Sequence, residues 1–132
     1  NETLAFGIKQ PTYQELVRGA ANGLAALAVA GNEDALRTLI DAGIPSRDPA
    51  RAAIALAFGT VALRNTPLTL RVLEGVSKLD PALDLLREAF DMLEEDFVEE
   101  RFFAQVRRTY WQAKSGSPTQ AVAEALIRKL EF

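Results

Sequence analysis

Neither cysteine nor histidine occurs in the 132 residues. Without cysteine there is no disulfide, no thiolate nucleophile and no thiolate ligand, and the redox compartment stays open. Without histidine the chain lacks the commonest general base and the commonest nitrogen ligand for a metal. Ser–His and Cys–His nucleophile pairs cannot be built from this chain alone. Positive charge is also short: 15 Lys and Arg stand against 18 Asp and Glu, for a net charge of −3. Nucleic acid is therefore not the expected partner, because phosphate binding wants a basic surface. No glycine-rich phosphate loop is visible, and no apolar run approaches the ~20 residues of a membrane span. We expect no cofactor, no metal, no catalytic residue and no membrane insertion, and a cytoplasmic location. The chain opens on Asn1 rather than Met, from which we expect that a tag, leader or neighbouring domain has been removed.

What remains is an ordinary globular composition, 48% hydrophobic and 25% charged, enough for one domain with its own core. Helix signals dominate it. Thr12 with Glu15 has capping-box spacing. Asp48-Pro49, Thr66-Pro67, Asp80-Pro81 and Ser117-Pro118 each pair a capping side chain with a proline suited to the first helical turn. Asn32 is a further cap and Gly43 a stop. These signals divide the chain into about seven helices, with no strand of any strength. Residues 1–10 form an N-terminal arm or linker remnant in which Leu4, Phe6 and Ile8 alternate, and 11–132 form the domain.

The pivot is the stretch from Ala50 to Leu63. Between Arg51 and Arg64 its only polar side chain is Thr60. Ile54, Phe58 and Val61 share one face, while Leu56 and Leu63 fall nearly opposite. A helix apolar on both faces is buried on both, so it belongs in the middle of the domain. On the first helix Tyr13, Val17, Ala20, Leu24 and Leu27 lie on one side. The fourth helix carries Leu68, Val72, Val76 and Leu79. The fifth carries Leu86, Ala89, Phe90, Leu93 and Phe97 at spacings of three and four. A break is expected near Asp96, with Asp96 and Glu99 as its capping pair; one long bent helix is the alternative, since no glycine or proline lies between Ala82 and Lys114. The sixth carries Phe102, Val106, Tyr110 and Ala113 in a stripe that faces the fifth, and the last carries Ala123, Leu126, Ile127 and Leu130.

Two stretches repeat. One contains Leu36-Arg37-Thr38-Leu39 and ends Asp48-Pro49-Ala50; the other contains Leu70-Arg71-Val72-Leu73 and ends Asp80-Pro81-Ala82. Arg18 and Arg51 hold equivalent places on the preceding helices. A period of about 32–34 residues is that of helix–turn–helix repeats, in which one hairpin buries its apolar face by stacking on the next. The chain resembles the tetratricopeptide and HEAT repeat families over residues 14–95. Ser77-Lys78-Leu79-Asp80-Pro81 is similar to the end of a tetratricopeptide unit and Gly31-Asn32-Glu33-Asp34-Ala35-Leu36 to its inter-helix turn. Asp48-Pro49-Ala50-Arg51-Ala52-Ala53 is similar to the opening of a HEAT unit. The Trp-Leu-Gly-Tyr pattern of the former is absent, and the turn Arg64-Asn65-Thr66-Pro67 has no glycine. The resemblance implies an all-α, right-handed α–α superhelix of about three hairpins with a C-terminal capping helix. It also implies a non-catalytic scaffold that binds a peptide or helix of a partner protein.

On that reading Arg37, Arg64, Arg71 and Lys78 line the inner side of the hairpins and are candidate partner contacts. From Glu88 to Glu100 there are seven acids and no base; from Arg101 to Lys114 four bases and no acid, interleaved with Phe102, Phe103, Tyr110 and Trp111. The acids read as a solvated face, and the bases offset them across the junction. Trp111 lies roughly 130° from the middle of the sixth helix's stripe, with Arg107 one turn before it to stack on the indole. Either Leu126, Leu130 or Phe132 of the last helix covers Trp111, or it is open to a partner. Two other classes stay in play: an oligomerisation domain that pairs with its own copy, and a small-ligand binder or enzyme with a pocket between helices.

Overall fold

A computed structural model describes residues 12–132; the arm or linker expected at 1–10 lies outside them. The described residues hold seven helices and no strand: α1 (Tyr13–Val29), α2 (Glu33–Gly43), α3 (Ala50–Arg64), α4 (Thr66–Glu74), α5 (Leu79–Leu93), α6 (Asp96–Gln112) and α7 (Pro118–Leu130). The class is all-α. The packing is a stack of helical pairs. α1, α3 and α5 lie side by side in one row, and α2, α4 and α7 in a second. At the third level α6 links the rows, packing mainly on α7 and reaching α3. α7 closes the C-terminal end against α4, α5 and α6.

Local chemistry explains most of the starts. The Thr12 hydroxyl accepts from Glu15 N at 3.1 Å while the Glu15 carboxylate accepts from Thr12 N at 3.0 Å, the expected capping box. Asn32 Oδ1 accepts from Ala35 N at 3.0 Å and Ser117 Oγ from Gln120 N at 3.2 Å. Three of the expected capping side chains differ, although Pro67 and Pro81 do lie in the first turns of α4 and α5. Asn65 rather than Thr66 caps α4, accepting from Leu68 N at 3.3 Å, and the Thr66 hydroxyl turns inward to donate to Ala62 O at 2.8 Å. α3 begins after Pro49 and α5 at Leu79, so Asp48 and Asp80 cap neither. α4 stops at Glu74, short of the expected Leu79, so Val76 and Leu79 pack half-buried from outside it.

α3 is central. It packs on α1, α2, α4, α5 and α6, and Phe58, Val61, Ala55 and Ala62 are fully buried. Close approach sets its spacing to α5: a Cβ on Gly59 would stand 2.7 Å from Ala89 Cβ and 2.9 Å from Leu93 Cδ1, so only a glycine fits. Gly43, the last residue of α2, packs closely beneath the side-chain ends of Leu85 and Ile54.

The α1 expectation is corrected. The residues α1 buries are Ala21, Ala25 and Ala28, with Val17 and Leu24 half-covered, whereas Tyr13 is 74% exposed, Leu16 58% and Leu27 53%. Alanines let α1 settle close to α3, and that proximity turns the larger side chains outward.

An ion pair ties the second pair to the third. Arg51 is bidentate to Glu88, Nε to Oε1 at 2.8 Å and Nη2 to Oε2 at 2.6 Å, and Nη1 donates to Gly43 O and Ile44 O at the end of α2. The hydrogen bonds from Arg51 hold the Glu88 carboxyl below its ordinary value despite partial burial. At the other end Lys129 of α7 lies 3.0 Å from Asp80 and 2.6 Å from Asp84 of α5, which raises its pKa.

No single helix among the described residues is long and apolar enough to cross a membrane; α3 and α4 together carry such a run but are bent by 115°.

Candidate functional site

The distinctive surface is the outward side of α6, and it exists because of the break before it. α5 ends at Leu93, and Glu94 takes a left-handed φ of 50°. α6 restarts with Glu95 as its N-cap, and the Glu99 carboxylate accepts from Glu95 N at 2.7 Å. The capping pair is therefore Glu95–Glu99, one residue before the expected Asp96–Glu99. The restart also removes Phe97 from the α5 stripe. Phe97 sits on the first turn of α6, and it is 92% exposed.

The inner side of α6 buries Phe102 and Val106, with Phe103, Tyr110 and Ala113 half-buried. Its rings join a cluster: Phe90 of α5 meets Phe102 edge-on at 5.2 Å, and Phe103 stacks on Phe132 at 4.2 Å. So α6 touches α5 through aromatic rings and gives the rest of its inner face to α7. Offset and edge-to-face contacts of this kind add to plain burial.

The opposite side is open. Trp111 is 80% exposed; neither Leu126, which is fully buried, nor Leu130 or Phe132 covers it. Its ring neighbour is Tyr110, edge-on at 5.1 Å. Arg107 does not stack on the indole. Its guanidinium lies 5.7 Å from the Phe132 ring centre and donates to Glu100 at 3.0 Å, because Phe132 curls back beside Phe103 and Glu100 lies two turns earlier. Phe97, Arg101, Ala104, Arg108 and Trp111 recur at spacings of four and three, within about 80° of the helix surface at ~100° per residue. The two aromatic ends are roughly 21 Å apart along the axis.

Beside this stripe, between α6 and the corner from α3 to α4, runs an open cavity of about 430 Å³ lined by Leu63, Arg64, Thr66, Pro67, Arg101, Phe102, Ala104, Gln105 and Arg108. A second of similar volume continues it past Leu63, Arg64 and Arg101 toward Glu95 and Val98. Among the described residues Arg64, Arg101 and Arg108 have no ion-pair partner, nor do Arg18, Arg47, Lys78, Arg87 and Lys114, whereas Arg37, Arg51, Arg71, Arg107, Arg128 and Lys129 each meet a carboxylate; the first three stand out because they line one groove.

The other candidates disperse. Arg37 pairs with Asp34 at 2.8 Å and Glu33 at 3.5 Å, and Arg71 reaches the same Glu33 at 3.3 Å. Lys78 lines a separate cavity with Asp41, Ile44 and Pro45. Arg64 precedes α4 and Lys78 follows it, so the length of that helix, roughly 14 Å, parts them. The acids of the run also scatter: Glu88 goes to Arg51, Glu99 to a backbone N–H and Glu100 to Arg107. No group of three or more carboxylates converges among the described residues.

Sequence reasoning marked Trp111 and Arg64 but not Phe97, Arg101 or Arg108 as contacts. The spacing from Phe97 to Trp111 was the available signal, obscured by running the α5 period through the break. The chain matches no family model, no curated protein and no solved structure.

Proposed function

We propose that the chain is a non-catalytic helical-repeat scaffold that binds a peptide or helix of a partner protein on the outward face of α6. The observation behind this reading is the exposure of Phe97 and Trp111 on one stripe of one helix, with two arginines unpaired among the described residues between them. Large exposed aromatics beside arginine are the usual anchors of protein interfaces, and this stripe adjoins a groove. The tetratricopeptide- and HEAT-like stretches support the same class of function, and so does a chain without histidine or cysteine. The test is affinity capture from the source cell with the wild type and with a Phe97→Ala/Trp111→Ala double variant, both checked for folding by circular dichroism. The expected result is one or more proteins held by the wild type and released by the variant. Identical capture by both removes the α6 face as the site.

A second reading, self-association, is favoured by α1. Tyr13, Leu16, Ala20, Gly23 and Leu27 are exposed at spacings of three and four with no charge among them. In an antiparallel pair centred between Ala20 and Gly23 the small residues meet at the middle and Leu16 meets the second copy's Leu27, so the face is self-complementary. Sedimentation over a concentration series decides it: a single monomeric species throughout excludes it, and a dimer abolished by Leu16→Glu establishes it.

A further inference from the structure

Building on the α6 face as the partner site, we propose that the segment it takes is acidic. Three guanidiniums from two separate parts of the chain line one groove: Arg64 ends α3, and Arg101 and Arg108 stand two turns apart on α6. None has a carboxylate partner among the described residues. Together they make a local positive strip on a protein of net charge −3, flanked by Phe97 and Trp111. Arg101 and Arg108 are roughly 10 Å apart along the helix axis. On an extended segment, where same-face side chains recur every second residue, carboxylates two or four apart span about 7 or 13 Å and bracket that distance. The groove floor is apolar at Leu63 and Pro67, which suits a segment that alternates acidic and apolar side chains. Guanidinium groups take carboxylates bidentately. Glu95 lines the far end of the adjoining cavity and repels acid there, so the carboxylates belong at the Arg101–Arg108 end. A polyanion with stacking bases would meet the same guanidiniums, but its phosphates find no partner in the apolar floor at Leu63 and Pro67.

Trp111 is the sole tryptophan, so its emission reports on this face. The probes are a synthetic peptide of alternating glutamate and leucine, its lysine–leucine counterpart and oligothymidylate. Expected are a blue shift with the glutamate peptide, none with the lysine peptide, and affinity that falls as salt rises. Charge removal in Arg101→Ala/Arg108→Ala should weaken binding by roughly tenfold, with an unchanged thermal melt. Equal response to both peptides, no response to either, or an unchanged affinity in the arginine variant overturns the acidic assignment. So does binding of oligothymidylate in preference to the glutamate peptide, which gives the face to single-stranded nucleic acid. The capture experiment separates this failure from that of the parent reading. A partner that needs Phe97 and Trp111 yet ignores Arg101→Glu/Arg108→Glu leaves the α6 face standing and removes only the acidic character.

Discussion

Helices α3 and α6 each place a large aromatic on a face that a helical wheel does not assign to a single neighbour. Phe58 of α3 is fully buried; Trp111 of α6 is open. The difference lies in what surrounds each helix. α3 has no polar side between its terminal arginines and is packed on by five others, so Ile54, Phe58, Val61 and Leu63 are all buried. α6 has one side committed to α7 and the ring cluster, and the other carries arginines that hold solvent around them. Apolar character all round a helix predicts burial, whereas a mixed face predicts a surface whose aromatics remain available to a partner.

The strongest way to break this contrast is Phe58→Ala. Deleting a fully buried ring should cost about 3–5 kcal/mol, read as a lower urea midpoint at constant slope. A loss under about 1 kcal/mol would displace α3 from the centre. Gly59→Ala tests the same helix from the other direction. The added methyl meets Ala89 Cβ at 2.7 Å and Leu93 Cδ1 at 2.9 Å, and Ala89 can yield only with its backbone. The intrinsic helix preference for alanine favours the change by about 1 kcal/mol, but overpacking opposes it by about 1–3 kcal/mol. Net destabilisation is expected, and a stabilised variant would show that α3 and α5 separate freely.

Arg51→Ala should cost about 1–2 kcal/mol, the low end because Glu88 keeps contact with water and is rehydrated once freed. The pH dependence has a definite sign. Glu88 has a folded pKa below its ordinary 4.5, so its pairing stabilises the fold above that value. The contribution is lost as pH falls through the depressed folded value. The stability gap between wild type and Glu88→Gln should accordingly narrow as pH drops below about 4.5, measured by urea unfolding at stepped pH. A gap that stays constant into strong acid would mean that the Arg51–Glu88 pair is not formed in solution.

Features decided within a few residues were legible beforehand. The caps at Thr12, Asn32 and Ser117 are local hydrogen bonds, and α3 announces itself because none of its faces is polar. What escaped depends on distance or on register. Arg51 and Glu88 meet across one intervening helix, 37 residues apart in the chain, and nothing near either residue marks the other. On α1 the wheel favoured the bulkier apolar side, but close packing selected Ala21, Ala25 and Ala28. The α5 period ran on to Phe97 because no proline or glycine marks the break at Glu94. For Trp111 the wheel gave its angle away from the core stripe but not the path of the last helix, on which its exposure depends.

The smallest expected change in stability is at the face that matters most for binding. Phe97→Ala and Trp111→Ala, made singly, should each move the unfolding free energy by no more than about 0.5 kcal/mol, as exposed substitutions do. A loss above about 1 kcal/mol for Trp111→Ala would mean that the indole is packed, and α6 would then resemble α3. The wild-type emission gives an independent check. An indole that is 80% exposed should emit near the wavelength of free tryptophan and be open to quenchers. Arg108 lies one turn before Trp111 and has no acidic partner among the described residues, so an anionic quencher is attracted and a cationic one repelled. Relative to free N-acetyltryptophanamide at equal ionic strength, iodide should therefore quench more steeply and caesium less steeply, and Arg108→Ala should bring the two ratios together. Equal ratios in the wild type would show that the positive strip is neutralised in solution, which would remove its attraction for an acidic segment while leaving the two aromatic anchors in place.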